Sequence, residues 1–308
     1  MTTTTPDTSS GPHAVGAPVP RRAGRRSAAS ATTRRRRGDA VTYVLLVLLA
    51  LYCMLPFVWM VLSALKPVDE IRVRTPTFWI SRPTLYNFVS VLVDHNFVVY
   101  IRNSLFVSLA ACALSLVVSI LAGYVFSRFF RQRSVKYTNL FMLVSQMLPG
   151  VLLLVPLYIT MHNLGVLDSY LSLILAYTTF VIPLCTFMLS SAFDAVPMSL
   201  EEAAMLDGCG RLETIRRVIL PVIVPSIVSV GLYAFINAWN EFMFGYIFIS
   251  QERFRTITPA IMLFKGANSV DWGGLMAASV IAVLPIALIF LFLQRYFIAG
   301  LTSGAVKG

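Results

Sequence analysis

Glu201–Pro221 reads EEAAMLDGCGRLETIRRVILP, a polar stretch set between two apolar runs that are each long enough to cross a bilayer. Ser199 and Glu202 have the spacing of a capping box: the Ser199 hydroxyl accepts from the Glu202 amide, and the Glu202 carboxylate reaches back to the Ser199 amide. Ala203 and Ala204 give a smooth helix face that another protein can approach closely. Gly208 stands where a helix ends on a left-handed residue. Arg211–Leu220 forms a second short helix, and Pro221 opens the next apolar run, where its missing amide does little harm. The expectation is an L-shaped pair of helices on a membrane surface. An ordinary amphipathic connector has the same spacing, so spacing alone leaves both readings open.

The rest of the chain agrees with a membrane setting. Of its 308 residues 57% are hydrophobic and 13% charged, and the mean hydropathy is +0.76. A soluble domain carries roughly 25% charged residues. The apolar residues come in runs of about 20 and do not alternate over about 10, which argues for helical spans and against an outer-membrane barrel. The net charge of +11 is concentrated in Arg21–Arg37. Cys53, Cys112, Cys185 and Cys209 are scattered without metal-ligand spacing and read as small apolar side chains.

Residues 1–40 are rich in Thr, Ser, Pro, Gly, Ala and Arg without apolar periodicity, so a disordered basic tail is expected there. Because the Arg run abuts a membrane span, cytoplasmic anchoring and attraction to anionic headgroups explain it better than nucleic-acid binding. The following apolar run is too long for a cleavable signal peptide. Six spans are expected, near Thr42–Leu65, Asn103–Ser127, Tyr137–Met161, Tyr170–Phe193, Val222–Phe242 and Gly274–Phe297. The apolar run Phe242–Ile249 either extends the fifth span or turns back, and both options stay open. Segments on the N-terminal side of the membrane hold about twice as many Lys and Arg as those on the other, so both termini and Glu201–Pro221 are expected in the cytoplasm. The opposite segment Lys66–Arg102, with Phe78, Trp79, Tyr86 and Phe88, reads as an interfacial aromatic belt or as a surface for an extracytoplasmic partner. Pro56, Pro149, Pro156, Pro183, Pro225 and Pro285 interrupt the spans and invite kinks.

No stretch reads as an active site. There is no Gly-rich phosphate-binding loop, no HExxH and no helical pair of carboxylates, so no catalytic, cofactor-binding or metal-ligating residue is assigned. The polar residues at membrane depth are the better lead. Gln146, Asn237 and Asn240 are costly in lipid and are expected to face the bundle interior, with Glu241 near the boundary. Asn237, Trp239 and Asn240 combine amide groups with an aromatic face, which suits a neutral polyol; interhelical hydrogen bonds plus a belt Trp explain them equally well.

Glu202-Ala203-Ala204, then Gly208, Val218 and Leu220-Pro221, resemble the EAA loop of ABC-importer permeases. Asp207 before Gly208 and the small Cys209 after it are similar to the carbohydrate-importer version, and Val218 stands where the broad pattern has Ile. The C-terminal stretch from Gln294 to Gly308 and the Asn163–Tyr170 turn resemble the MalG-type permeases of maltose and related sugar importers, so that only the Arg-rich tail lies outside the likeness. The resemblance implies an all-α membrane protein whose permease domain spans 41–308. In it a coupling helix, within a loop of about 194–221, docks on a cytoplasmic ATPase through Glu201, Glu202, Ala203, Ala204, Asp207, Gly208, Leu220 and Pro221. It also implies a second homologous permease subunit, two ATPase subunits that bind the ATP and Mg, and an extracytoplasmic solute-binding protein that delivers sugar. The end of the chain near Leu301–Gly308 would also touch the ATPase. Gln146, Asn237, Trp239, Asn240 and Glu241 are candidates for the substrate pathway. An EAA-type permease for glycerol phosphate, peptide or polyamine is the nearest alternative. An ion-driven transporter is the more distant one, since the spans offer only the peripheral Glu241 as a carboxylate.

Overall fold

The computed structural model describes residues 26–302 except 74, 76, 267 and 268, with the backbone alone for 26–40 and 295–302. Among the described residues the chain is helical, without a named strand. Helix α1 is Arg26–Ala64, α2 Phe97–Arg128, α3 Arg133–Gln146, α4 Leu154–Asn163, α5 Tyr170–Asp194, α6 Met198–Leu206, α7 Arg211–Val222, α8 Val224–Asn240, α9 Met243–Phe248 and α10 Trp272–Thr302. Residues 26–40 continue α1 as helix, and residues 1–25 of the expected basic tail lie outside the described residues.

Among the described residues four helices are long and apolar enough to cross a membrane: Val41–Ala64 of α1, α2, α5 and Trp272–Gln294 of α10. The number rises to six if each of two bent pairs is one span. The third expected span is not a continuous helix. After α3 the chain turns by 104° across Met147–Pro149 and resumes through a 3₁₀ turn, Gly150–Leu153, into α4. Hydropathy registers how apolar a run is and is blind to its direction, so in sequence a break at Pro149 looks the same as a kink inside a span. The fifth expected span is reduced to α8, and an 85° bend at Ile223 separates it from α7. Arg211–Leu220 therefore continues through Pro221 to Val222 and contains a π-helical stretch, Ile215–Ile219. Phe242–Ile249 does not extend α8: Glu241 leaves the helix with extended backbone (φ −68°, ψ 127°) and α9 starts afresh.

The chain divides at Pro56 into two units. In the first, the side chains of α1 from Val41 to Leu55 are all exposed. The second is organised around α2 and α5, which share its most extensive contact. Ser108, Ala111, Ser115, Ser119 and Gly123 are all buried and recur every three to four residues on α2. They let the two backbones approach until a Cβ at Gly123 would stand 3.0 Å from the Ser190 amide nitrogen. Thr186 donates to Ser119 Oγ at 3.3 Å across this seam. Helix α8 packs on α2, α5 and α10. The 66–96 crossing is folded onto the end of α1, with Asn87 Nδ2 donating to the carbonyls of Ala64 (2.8 Å) and Lys66 (2.9 Å) and Lys66 Nζ donating to Thr77 O. Trp79 is exposed at its surface.

Candidate functional site

Glu201–Pro221 is fixed on one face and open on the other. Helix α6 begins at Met198 with Pro197 as its N-cap and no side-chain cap, so the capping box of Ser199 and Glu202 does not form; both residues are exposed within the first turns. The anchor is the neighbouring carboxylate. Glu201 is 3% exposed, and its Oε1 accepts from Arg128 Nε at 2.6 Å while Oε2 accepts from the Tyr124 hydroxyl at 3.1 Å. Arg128 Nη2 also donates to the Val196 carbonyl at 3.0 Å, and Ser127 Oγ donates to Asp194. The last turn of α2 therefore holds both the end of α5 and the start of α6. A carboxylate in the first turn of α6 and a guanidinium in the last turn of α2 also suit the two helix dipoles.

Beyond the anchor, Ala204 is buried and Ala203 exposed, so the two alanines sit on different faces. Helix α6 ends as its glycine demands: Gly208 has φ +87°, its amide donates to Met205 O at 3.1 Å, and the Cys209 amide donates to Ala204 O at 3.0 Å. In α7 Thr214 is buried, and Ile215 and Ile219 join a core shared with Tyr124, Leu189, Phe193 and Val196. The Arg211 guanidinium lies 5.3 Å from the Phe129 ring centroid. The opposite face carries exposed Met198, Leu200, Met205, Leu206 and Leu212, with Glu202 and Asp207 beside them; Leu206 is 89% and Leu212 71% exposed.

The polar residues of the spans separate into two groups. Asn237 and Asn240 share the exposed face of α8, and Asn237 Nδ2 donates to Tyr233 O at 2.8 Å. Trp239 faces the other way. It is 2% exposed, its indole N–H donates to Ala282 O of α10 at 3.1 Å, and it stacks on Phe235 with centroids 5.7 Å apart. It therefore offers no open ring face beside the two amides. Gln146 is exposed as the last residue of α3, at the break. The Glu241 carboxylate is engaged by three backbone amides at the start of α9. Among the described residues no three His, Cys, Asp or Glu side chains converge as metal ligands would.

At the far end of α5, Asp168 (φ +55°) joins the turn after α4 to the segment after α9. Its carboxylate accepts from the Ser250 amide (2.6 Å), the Ser250 hydroxyl (2.7 Å) and the Gln251 amide (3.0 Å), and its own amide donates to Phe248 O (3.1 Å). The Ser250 hydroxyl above all holds the Asp168 carboxyl below its usual range, helped by these amides and by the charge of Arg253. The sequence singled out this turn only by likeness, because its partner is about 80 residues away in the chain.

Long apolar helices around a seam of small residues, with polar groups on an exposed helix face, define a membrane helix bundle. Residues 115–303 match the family described as binding-protein-dependent transport system inner membrane component, and the chain belongs to that family. It is 34% identical over 271 residues to the sulfoquinovosyl glycerol transport system permease protein SmoH of Agrobacterium fabrum, covering 88% of this chain and 95% of that one. It is 36% identical to the trehalose/maltose transport system permease protein MalG of Thermococcus litoralis, covering 85% and 94%. The fold is similar to a chain of a bacterial ABC transporter involved in the import of the acidic polysaccharide alginate, with TM-score 0.74 at 18% identity over 85% of this chain and 97% of that one. The protein is thus a multi-pass permease of the inner membrane.

Proposed function

We propose that this chain is one of two homologous membrane subunits of an ATP-driven, binding-protein-dependent importer of di- or oligosaccharides. The observation that carries the reading is the two-faced Glu201–Pro221 segment. A buried ion pair fixes it to α2, and an apolar tip of Met205, Leu206 and Leu212 is left exposed beside Glu202 and Asp207. Exposed Leu side chains at the polar end of a membrane helix bundle suit a cleft in a partner protein. In this proposal the partners are two cytoplasmic ATPase subunits that hold the ATP and Mg, and both termini share their side of the membrane. Closure of the ATPases draws the segment inward and tips six spans between inward-open and outward-open states. Glu202, Ala203, Asp207 and Gly208 meet the ATPase or shape the surface that does. Glu201, Ala204, Leu220 and Pro221 set its position. Residues 303–308, expected to touch the ATPase as well, lie outside the described residues.

Sugar as cargo rests on the named relatives, and we assign the exposed amides of Asn237, Asn240 and Gln146 to its pathway. The test is uptake into proteoliposomes that contain the purified complex with ATP inside. The solute-binding protein is loaded in turn with a panel of disaccharides, oligosaccharides, glycerol phosphate and a polyamine. ATP-dependent accumulation of a saccharide is expected. Accumulation of only the charged solutes moves the chain to another cargo class, and uptake driven by an ion gradient without ATP overturns the proposal.

A further inference from the structure

Glu241 stands where α8 ends, and its carboxylate folds over the start of α9. Oε1 accepts from the amides of Met243 (2.8 Å) and Phe244 (3.0 Å), and Oε2 from that of Gly245 (3.1 Å). Its main-chain carbonyl accepts from the Thr258 hydroxyl. A six-residue helix does not sustain itself in isolation, and here one side chain satisfies three of the four amides that its first turn leaves open. Helix α9 is then pressed against its surroundings. Phe244 and Phe248 are buried, and a Cβ at Gly245 would stand 2.9 Å from both Pro259 Cγ and Thr256 Oγ1.

The segment that follows is pinned along its length. Asp168 holds Ser250 and Gln251, Asn103 Nδ2 donates to the carbonyls of Arg253 and Arg255 (both 2.9 Å), and the Ile257 amide donates to Ser104 Oγ at 2.7 Å. With its backbone fixed, this crossing displays Gln251, Glu252 and Arg253, the last two lining an open cleft of about 650 Å³ with Asp94, His95 and Arg102. The opposite end of α8, some 25 Å away at about 1.5 Å per residue, turns at Ile223 into α7 and the Glu201–Pro221 segment.

We infer that Glu241 is a positioning residue and not a contact for the cargo. Its carboxylate clamps the 243–258 crossing onto the end of α8, so that this crossing, read by the solute-binding protein, and the ATPase-facing segment are the two ends of one body. The inference rests on the function proposed above, in which the ATPases meet the Glu201–Pro221 segment, and it adds that the solute-binding protein meets the crossing at the opposite end of α8. It removes Glu241 from the substrate pathway expected from sequence.

The test uses the full complex in lipid nanodiscs with Glu241→Gln, Glu241→Ala and Gly245→Ala. The last variant keeps the carboxylate but forces Pro259 and Thr256 outward. All three are expected to keep basal ATPase activity. The binding-protein concentration for half-maximal stimulation should rise at least about tenfold in Glu241→Ala, for loss of three charge-assisted bonds, and less in Glu241→Gln. Gly245→Ala should show the same split. Hydrogen exchange should quicken at 243–257 and stay unchanged in α8. Wild-type stimulation and exchange in Glu241→Ala overturn the inference, as does a changed preference among sugars with stimulation intact. A wild-type complex that no binding protein stimulates defeats the proposed function instead, and the exchange pattern then decides the clamp by itself.

Discussion

The Glu201 carboxylate and the Arg128 guanidinium meet at 2.6 Å with side chains only 4% and 8% exposed, which ties the first turn of α6 to the last turn of α2. Removing one partner of such a pair leaves an uncompensated buried charge and costs about 3–5 kcal/mol. Arg128→Ala and Glu201→Ala are therefore expected to lower the thermal midpoint of the purified permease and to release α6 as read by hydrogen exchange at 198–206. Arg128→Met with Glu201→Leu, which removes both charges, should be more stable than either single variant. Equal stability of the singles and the wild type would show that the pair holds nothing.

Gly208 is a separate matter, because its requirement lies in the backbone. At φ +87° a side chain is strained even though nothing lies within 4 Å of its would-be Cβ. Gly208→Asn, which tolerates left-handed backbone, should keep most ATPase coupling, whereas Gly208→Val and Gly208→Gln should insert normally and lose sugar-stimulated ATPase activity. Cargo-stimulated hydrolysis in nanodiscs is the measurement, and full stimulation with Gly208→Gln contradicts a role for the turn.

These two residues show what the sequence carries and what it hides. The turn at Gly208 is a local property, so a glycine after a short helical run announced it. The partner of Glu201 is 73 positions away, and nothing near Glu201 identifies Arg128. The local pattern instead drew attention to Glu202 and a capping box, because the rule for caps looks three residues ahead and Pro197 starts the helix earlier. Period also limits the Asn237, Trp239 and Asn240 reading. At about 100° per residue, Asn237 and Asn240 share a face while Trp239 lies about 200° from Asn237, so the helix places the aromatic ring where the amides are not. The breaks at Pro149 and Ile223 escaped because composition along a span is insensitive to a change of direction.

That separation gives opposite expectations for neighbouring residues. Trp239→Phe removes a buried N–H···O bond to Ala282 and should lower stability by about 1 kcal/mol without changing which sugars are carried. Asn240→Ala and Asn237→Ala leave stability nearly unchanged and should alter uptake KM. Uptake by the panel assay and thermal melting of the same preparations separate the two, and a Trp239→Phe variant with altered sugar preference would return the indole to the pathway.

Asp168 makes the fate of the outer crossing depend on pH in a defined direction. Its folded carboxyl lies below the ordinary value near ~4, chiefly through the Ser250 hydroxyl, so its contribution is complete above that value and fades only as pH falls through the lower folded one. Protection of the Ser250 and Gln251 amides should thus be flat from about pH 5 to 8 once intrinsic exchange is divided out. Asp168→Gly keeps the φ +55° backbone free of strain and removes only the carboxylate, so it should abolish that protection throughout the same range. Unchanged protection in Asp168→Gly would assign the pinning of this crossing to Asn103 and Ser104 alone.

The exposed tip of the Glu201–Pro221 segment can be tested without disturbing its anchor. Leu206 is 89% and Leu212 71% exposed, so neither contributes to the fold of the isolated permease. Leu206→Asp and Leu212→Asp should leave expression and thermal midpoint within experimental error. A carboxylate pushed into an apolar cleft must be desolvated or excluded, so each change should weaken capture of the ATPase subunits at least about tenfold, the double variant more. The readout is co-purification of the ATPase with the permease, quantified by titration in nanodiscs. If the double variant retains its ATPase with wild-type affinity, the docking face lies elsewhere, and the apolar tip belongs to the lipid interface.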